Sequence, residues 1–296
     1  MNELMPNSIQ NNTRPLVTVA MPVYNAGKYL RLAVLSIIKQ TFTDWEMLII
    51  DDGSTDNAFD SISDINDERI HILRDGSNKG LAARLNEAID LARGQYFARM
   101  DQDDVSYPER FERQVEALLN DSTVDLVGIR AVTIGDDNEL TGVLACADSS
   151  EKICSKPWRG IGLPHPTWMG KIMWFRKHRY AEPAPYFCED QELLLRTYEN
   201  SRFLIINEQL FAYRIRNSIN WHKLMKTRVT VLKIQLKQFI AKGQLYFSAM
   251  ALLSFVGRVV MDILKRLTFL KYPVIKKQNE LTEEKWQYVL NFVENK

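Results

Sequence analysis

GQYFARMDQDD, Gly94–Asp104, followed by Val105–Pro108 (VSYP), is the stretch that decides the fold. A helical pattern of Leu81, Leu85, Ala88, Ile89 and Ala92 stops at Gly94, which suits the C′ position of a helix. A short apolar run, Tyr96–Met100, comes next, and Asp101, Asp103 and Asp104 then place three carboxylates within four residues. Ser106 and Glu109 have the spacing of a capping box, with Pro108 in the first turn of a further helix. The pattern is helix, buried strand, acidic turn, helix. Carboxylates at the carboxyl end of a strand in such a pattern stand where open α/β sheets bind ligands. Hard oxygen ligands at this density suit Mg²⁺ or Mn²⁺ rather than zinc or copper. An Asp-rich turn that is merely solvated has the same composition, so the decision rests on its surroundings.

Towards the N-terminus the same unit repeats. Leu16–Val23 is a β-branched run leading into a turn at Tyr24-Asn25-Ala26-Gly27, and a helical pattern from Leu30 to Gln40 follows. Glu46–Ile50 forms a second strand running into Asp51-Asp52-Gly53, and Ile70–Leu73 a third. Beyond the acidic turn, Phe111, Val115, Leu118 and Leu119 share a helix face, and Leu126–Val132 reads as a fifth strand. Repeated strand–helix units predict an α/β fold with a mostly parallel, doubly wound sheet. In such a sheet the turns after successive strands lie along one edge. Tyr24-Asn25, Asp51-Asp52 and Asp101–Asp104 are therefore expected to converge on a ligand crevice.

Composition narrows the classes. The chain has 296 residues, 46% hydrophobic and 25% charged, as in ordinary globular proteins. Cys146, Cys154 and Cys188 form no Cys-x-x-Cys pair, so neither a disulfide framework nor a zinc site is indicated and a reducing compartment fits. Residues 1–14 are polar with no apolar signal core, and no uninterrupted apolar window of about 18 residues predicts a spanning helix. The net charge of +1 hides an asymmetry: residues 214–296 carry 16 Lys/Arg against 5 Asp/Glu, and the remainder 22 against 32. Such a basic end is a partner signal.

PVYNAGKYL (22–30), QTFTDWEMLIIDDGSTD (40–56), SNKGLAARLNEAI (77–89) and the Asp101–Asp104 turn together resemble glycosyltransferase family 2, the inverting enzymes of GT-A fold, over residues 15–216. The resemblance implies that Asp52 reads the base of a nucleotide sugar, accepting N3–H of uracil, with Pro22, Tyr24 and Asn25 beside the uridine and Asp51 supporting the turn. It places Asp101, Asp103 and Asp104 in the DxD-type turn, with Gln102 among them, where one or two carboxylates hold Mn²⁺ or Mg²⁺ against the diphosphate. Lys79, Gly80 and Arg84 become candidate phosphate or ribose contacts, although charged residues on helix surfaces are often simply solvated. Tyr186–Leu193 (YFCEDQEL) matches the family's Glu-Asp motif, so Asp190 is expected to be the general base and Glu189 its neighbour in support; both would otherwise only complement a helix dipole. His165, fixed between Pro164 and Pro166, is an acceptor-site candidate, with Trp168 and Arg196 in supporting positions and a strand expected over Trp168–Arg176. Trp158 and Trp174 are weaker stacking candidates. Arg216 stands where many relatives carry a His, so a guanidinium is expected to meet the diphosphate there.

Residues 221–277 interleave Lys and Arg with apolar residues at helical spacing, and Asp262 is their only acid. Basic amphipathic helices of this kind lie in a membrane interface, drawn by anionic lipid; a helical pair packed on the domain with a solvated basic face is the plainer alternative. Nucleic acid fits poorly, since stacking motifs are absent. The expected organisation is a tail (1–14), a GT-A domain (15–216, donor half 15–135 and acceptor half 136–216) and a basic helical extension (217–296). The expected activity is transfer of a hexose or N-acetylhexosamine from a UDP-sugar to a glycan acceptor, lipid-linked, at the cytoplasmic face of the membrane in surface-polysaccharide synthesis. Two rivals differ in kind. A haloacid-dehalogenase-like phosphohydrolase would use Met100–Val105 as its first motif, but no Lys lies between Asp104 and Gly135 to balance an aspartyl-phosphate. An inactive donor-binding scaffold would require a damaged site, whereas every key carboxylate is present.

Overall fold

Strand β1 (Val17–Val23) is buried along its whole length, as an unbroken apolar run must be when both faces of a sheet are covered. Its one polar side chain, Thr18, donates to Glu46 Oε1 at 2.7 Å and accepts from Gly94 N–H at 2.8 Å. The computed structural model describes residues 14–215, 220–267 and 280–295. After β1 come α1 (Leu30–Ile38), β2 (Trp45–Asp51), β3 (Ile70–Arg74), α2 (Leu81–Leu91), β4 (Tyr96–Arg99), β5 (Val105–Ser106), α3 (Arg110–Asn120), β6 (Leu126–Ile134) and β7 (Leu140–Val143). The second half contributes α4 (Ser150–Ile153), β8 (Met169–Lys171), α5 (Ile172–Lys177), α6 (Glu189–Thr197), β9 (Phe203–Arg214), α7 (Trp221–Ala241), α8 (Leu245–Leu267) and α9 (Glu280–Glu294).

The sheet runs β3-β2-β1-β4-β8-β6-β9-β5, with β7 on β6. Strands β3, β2, β1 and β4 are mutually parallel, as are β6 and β9; β8 runs antiparallel between β4 and β6, and β5 antiparallel to β9. The α/β, mostly parallel architecture expected from the strand–helix repeat is thus present, with an antiparallel insertion at its centre. Val17, Val19, Met21 and Val23 face one core with α1 and α3, while Ala20, Leu48 and Ile50 face the other with α2 and α6.

Strand β1 pairs with β4 only as far as Ala20 and Arg99, and Met100 N–H closes the ladder on the Ala20 carbonyl at 3.0 Å. Beyond that point the two strands part. Pro22, two residues on, turns the same backbone edge towards the gap, so its missing N–H costs no ladder bond. This parting opens the crevice.

Local details depart from the sequence expectations. Gly94 lies beyond Ala92, the C-cap of α2, and outside the left-handed region; it is needed because a Cβ there would lie 2.5 Å from Thr18 N, where the chain crosses β1. The Ser106–Glu109 capping box does not form. Ser106 is buried in β5 opposite Phe211 and accepts from Gln40 Nε2 at 3.1 Å, while Glu109 is itself the N-cap of α3 and makes no side-chain cap bond. The strand expected over Trp168–Arg176 is the three residues of β8 followed by α5, whose Ile172, Trp174 and Phe175 are buried.

The basic extension is joined to the rest of the molecule. Helices α7 and α8 pack on each other and enter the second core through Ile234, Phe239 and Ala251, and Trp286 of α9 is buried against Tyr107 in the first. Contrary to the expectation that no helix could span, α8 is long and apolar enough to cross a membrane by length and composition. Periodicity had hidden this, because Arg258 and Asp262 interrupt the apolar run without breaking the helix. Residues 1–13 of the N-terminal tail, 216–219, 268–279 and 296 fall outside the described residues.

Candidate active site

The three turns converge as topology requires, and specific bonds lace them together. Tyr24 N–H donates to Gln102 Oε1 at 2.6 Å, and Gln102 Nε2 returns a bond to the Tyr24 carbonyl at 3.0 Å, which ties the turn after β1 to the turn after β4. Asn25, in the left-handed region at φ 50°, donates its N–H to Ser54 Oγ at 3.1 Å and accepts from Thr55 N–H at 2.8 Å. Asp51 Oδ1 in turn accepts Ser54 N–H at 2.8 Å and so braces the turn after β2. Between these turns lies a cleft of about 420 Å³, walled by Pro22, Tyr24, Asp52, Gly80, Asp101 and Asp103 and closed on one side by Phe187. Its volume lies within the range of small-ligand sites.

Asp52 forms the floor. Its Oδ1 accepts Lys79 N–H at 2.7 Å and Arg84 Nε at 2.9 Å; Gly80 N–H reaches Oδ2 at 3.0 Å. Gly80 makes this possible at φ +86°, a conformation that L side chains rarely adopt. Oδ2 thereby keeps acceptor capacity towards the cleft.

The structure gives Arg84 a different place from the phosphate contact expected of it. It is buried, and its N–H groups bond Asp52, both oxygens of Asp75, Glu87 and the Ser77 carbonyl. All five donors of the guanidinium are spent, so Arg84 fixes Asp52 from behind. The Lys79 ammonium reaches Asp75 at 2.6 Å on the exposed side.

In the acidic turn the carboxylates divide. Asp101 and Asp103 face the cleft, whereas Asp104 turns inward, accepts Arg214 N–H at 2.8 Å on Oδ1 and leaves Oδ2 buried without a hydrogen bond. Burial first, and then Asp101 and Asp103, push the Asp104 carboxyl well above the usual carboxylate range. Asp104 is therefore placed away from the metal position expected for it. Arg214 holds the turn, with Nε on the Asp103 carbonyl at 2.8 Å and its guanidinium over the Tyr29 ring.

Among the described residues no group of three or more His, Cys, Asp and Glu is arranged to bind an ion. The donor set nonetheless fits Mg²⁺ or Mn²⁺ at a diphosphate, since such ions use one or two carboxylates and complete their shell with water and phosphate oxygens. Asp101 and Asp103 are the residues that would hold it.

Asp190 lies in the first turn of α6 and lines a second pocket, of about 270 Å³, with His165, Gln191 and Tyr213. Gln191 Nε2 donates to Asp190 Oδ2 at 3.3 Å and to the Ile161 carbonyl at 3.1 Å, while its Oε1 accepts Ile161 N–H at 3.0 Å. Burial raises the Asp190 carboxyl above its ordinary value, opposed by the bonds from Gln191. Glu189 is raised as well, by burial first. His165 Nε2 is 2.7 Å from the Tyr180 hydroxyl and Nδ1 is 3.9 Å from Glu189; burial, then Arg99, hold the imidazole neutral.

Two other expectations are corrected. Trp168 is wholly buried with Nε1 on the Leu163 carbonyl, so it has no face for a sugar. Arg196 bonds Glu192 and the Arg179 carbonyl, outside both pockets. Arg216 lies outside the described residues. The residue missed altogether is Arg99, buried between the two pockets, with NH1 on Asp101 Oδ1 at 2.5 Å and Glu189 and Tyr180 in its field. Its signal was an arginine inside an otherwise apolar strand.

A mostly parallel sheet with an acidic turn at the rim and a carboxylate across the crevice defines a nucleotide-binding transferase class. The family model "Glycosyl transferase family 2" matches residues 18–179, more than half of the chain. An uncharacterized glycosyltransferase of Methanocaldococcus jannaschii is 31% identical over 72% of this chain and 75% of its own. The UDP-Glc:alpha-D-GlcNAc-diphosphoundecaprenol beta-1,3-glucosyltransferase of Escherichia coli is 34% identical over 38% of this chain and 45% of its own length. Among solved structures, S. aureus TarS in complex with UDP superposes with TM-score 0.56 at 18% identity, over 74% of this chain and 65% of that one. The mannosyltransferase PcManGT from Pyrobaculum calidifontis, in complex with GDP-Man and Mn²⁺, superposes with TM-score 0.58 at 14% identity, over 95% and 86%. The chain belongs to glycosyltransferase family 2, and its fold is GT-A.

Proposed function

We propose that this glycosyltransferase moves a hexose or N-acetylhexosamine from a UDP-sugar, with inversion, to a hydroxyl of a lipid-linked glycan during surface-polysaccharide synthesis. The observation that carries the proposal is the pairing of the Asp52-to-Asp103 cleft with a separate carboxylate, Asp190, beyond Arg99. Asp52 Oδ2 takes N3–H of uracil, and Tyr24 stands beside the ring. Asp101 and Asp103 would hold Mg²⁺ or Mn²⁺, which supplies charge neutralisation for the departing diphosphate when bound. Asp190 accepts the proton of the attacking hydroxyl, and its raised basicity suits that role. Gln191 fixes the carboxylate, and neutral His165 borders the acceptor pocket. The UDP-Glc donor and diphosphoundecaprenol-linked acceptor in the name of the Escherichia coli relative, and the UDP bound by TarS, support the donor and a lipid-linked acceptor; a glycosyltransferase named for teichuronic acid biosynthesis, also among the relatives, supports the polysaccharide context.

The exposed apolar face of α8 beside the lysines of α7 supports attachment to the inner face of the cytoplasmic membrane. The bond from α7 Arg228 to Asp262 of α8, and that from Arg258 of α8 to the Arg159 carbonyl of the domain, favour a helix lying along the surface over one crossing it. The phosphohydrolase alternative explains neither the Asp52 floor nor the second pocket.

The test is a screen of nucleotide sugars for binding and for acceptor-dependent UDP release. Asp190→Asn is expected to keep donor affinity and to lose turnover by about 10²–10⁴-fold, the usual contribution of a general base. Weakened donor binding with transfer intact would remove Asp190 from the role of base.

A further inference from the structure

A cleft of about 570 Å³ lies where α7, α8 and the turn Pro157–Arg159 meet, away from the donor site. Trp158, Arg159, Arg228, Arg258 and Lys265 line it together with one acid, Asp262. Arg228 Nε bonds Asp262 at 3.0 Å, and Arg258 donates to the Arg159 main-chain carbonyl at 2.5 Å, which fixes both guanidinium groups at the cleft; the Arg159 side chain lines it from the exposed side. Among the described residues that line the cleft, four are cations and one is a carboxylate. Like charges gathered in a partly buried cleft repel one another, and burial, then Arg228 and Arg159, hold the Arg258 guanidinium below its usual range. Such crowding is relieved by a polyanion.

The surroundings say which kind. The cleft opens on α8, whose Leu253 and Met261 line it and whose Val256, Val260 and Leu264 are exposed beside it. A ligand seated here meets basic groups at one end and a hydrocarbon-like surface at the other, the complement of a phosphorylated lipid. Charge separates the candidates. A phospholipid diester brings one negative charge to these cations, whereas a lipid diphosphate brings at least two on adjacent phosphates.

The position agrees. Arg159 of this cleft and Ile161 of the Asp190 pocket are two residues apart, hence within about 7 Å along the chain. Ile161 is bonded at both its N–H and its carbonyl by Gln191, which in turn holds Asp190.

We infer that this cleft binds the diphosphate of a lipid-linked acceptor, with the lipid chain along α8 and the attached sugar directed past Gly160 towards Asp190. The inference deepens the proposed function and rests on its lipid-linked acceptor.

The test uses the full chain and phosphatidylcholine vesicles carrying either a long-chain isoprenyl diphosphate or phosphatidylglycerol at matched charge, with co-sedimentation as the readout. Binding to the isoprenyl diphosphate vesicles is expected to be at least ~10-fold tighter, and inorganic pyrophosphate should compete. Arg159→Glu, at an exposed position, and Arg258→Ala should each bring that binding down to the phosphatidylglycerol level, with thermal unfolding used to confirm that each variant folds. Should Arg258→Ala unfold, Arg159→Glu alone decides. Equal binding to both vesicle types, or unchanged binding by a folded Arg159→Glu, overturns the cleft. UDP release by the wild-type chain with a sugar-bearing lipid diphosphate reports separately on the acceptor itself. Tight, Arg159-dependent binding without release would overturn the lipid-linked acceptor while leaving the cleft; release with Arg159→Glu binding unchanged would do the reverse.

Discussion

An arginine that waits for a phosphate and one that braces a carboxylate are the same letter in a sequence. Arg84 stands on the helix behind the Asp52 turn, where either role is open, and only the fold brings Asp75 and Glu87 to claim its remaining donors. The meeting of Asp52, Asp101 and Asp103 in one cleft was legible because strand ends in a parallel sheet must share a rim; the bonding of Arg84, Asp104 and Arg99 was not, because it depends on partners from other elements. Replacing Arg84 with Met leaves the buried Asp52 carboxylate without its guanidinium partner and should cost about 1–3 kcal/mol in denaturant unfolding, with a parallel loss of donor affinity as Asp52 loosens. Unchanged stability with weakened donor binding would instead return Arg84 to the phosphate. Asp190 carries a pH prediction. Its carboxyl is raised chiefly by burial, so the acid limb of kcat/KM should lie above the ordinary aspartate value of 3.8, and activity should fall as pH drops through it. Gln191→Leu removes a bond that opposes the rise and should move the limb higher still. The stability sign follows. A folded pKa above the unfolded one gives a contribution present at low pH and lost as pH rises through the folded value. Asp190→Asn should therefore unfold no earlier than the parent at neutral pH.

At the scale of elements, long buried strands announced themselves and short ones did not. Strands β1 and β2 are buried over every residue, so their composition alone marks them. Strand β8 has three residues, and its identity comes from pairing on both sides with β4 and β6, which no local pattern encodes. The Gly94 signal marked the end of α2 to within a residue but misread the mechanism. Gly94 was expected at the C′ position of a helix, but its place is fixed by the approach of the chain to Val17 and Thr18. A Cβ at Gly94 meets backbone at 2.5 and 2.8 Å, which cannot rotate away as a side chain could. Gly94→Ala should thus destabilise by about 1–3 kcal/mol or more through overpacking, and shift β4 and the acidic turn that follows it. Thermal unfolding together with donor affinity checks both halves. A stable variant with normal donor binding would mean that the crossing can relax.

At the scale of the whole molecule, charge asymmetry was readable from the start, while the place of the basic helices was not. The extension was expected as an appendage, yet Trp286 of α9 is buried on Tyr107 and donates to the Asn138 carbonyl at 2.8 Å. The chain therefore returns to its first core after the basic pair. This arrangement leaves α8 on the outside. Its Ser248, Ala251 and Asp262 face inward, while Val256, Val260, Leu264 and Leu267 stay exposed. An apolar face of this extent on a helix anchored by the Arg228–Asp262 pair is what an interfacial helix needs, and it lies beside the basic groups that anionic lipid attracts. Val260→Glu with Leu264→Glu should lower partition into vesicles containing phosphatidylglycerol by more than ~10-fold, since two apolar side chains leave the interface and two like charges meet the lipid. Because both positions are exposed, thermal unfolding and nucleotide-sugar binding should not change. Raising the salt should weaken the parent's binding only in part, as screening removes the lysine contribution and leaves the apolar one. If the double variant partitioned as well as the parent, or if salt alone abolished binding, the apolar face of α8 would have no part in holding the enzyme at a membrane.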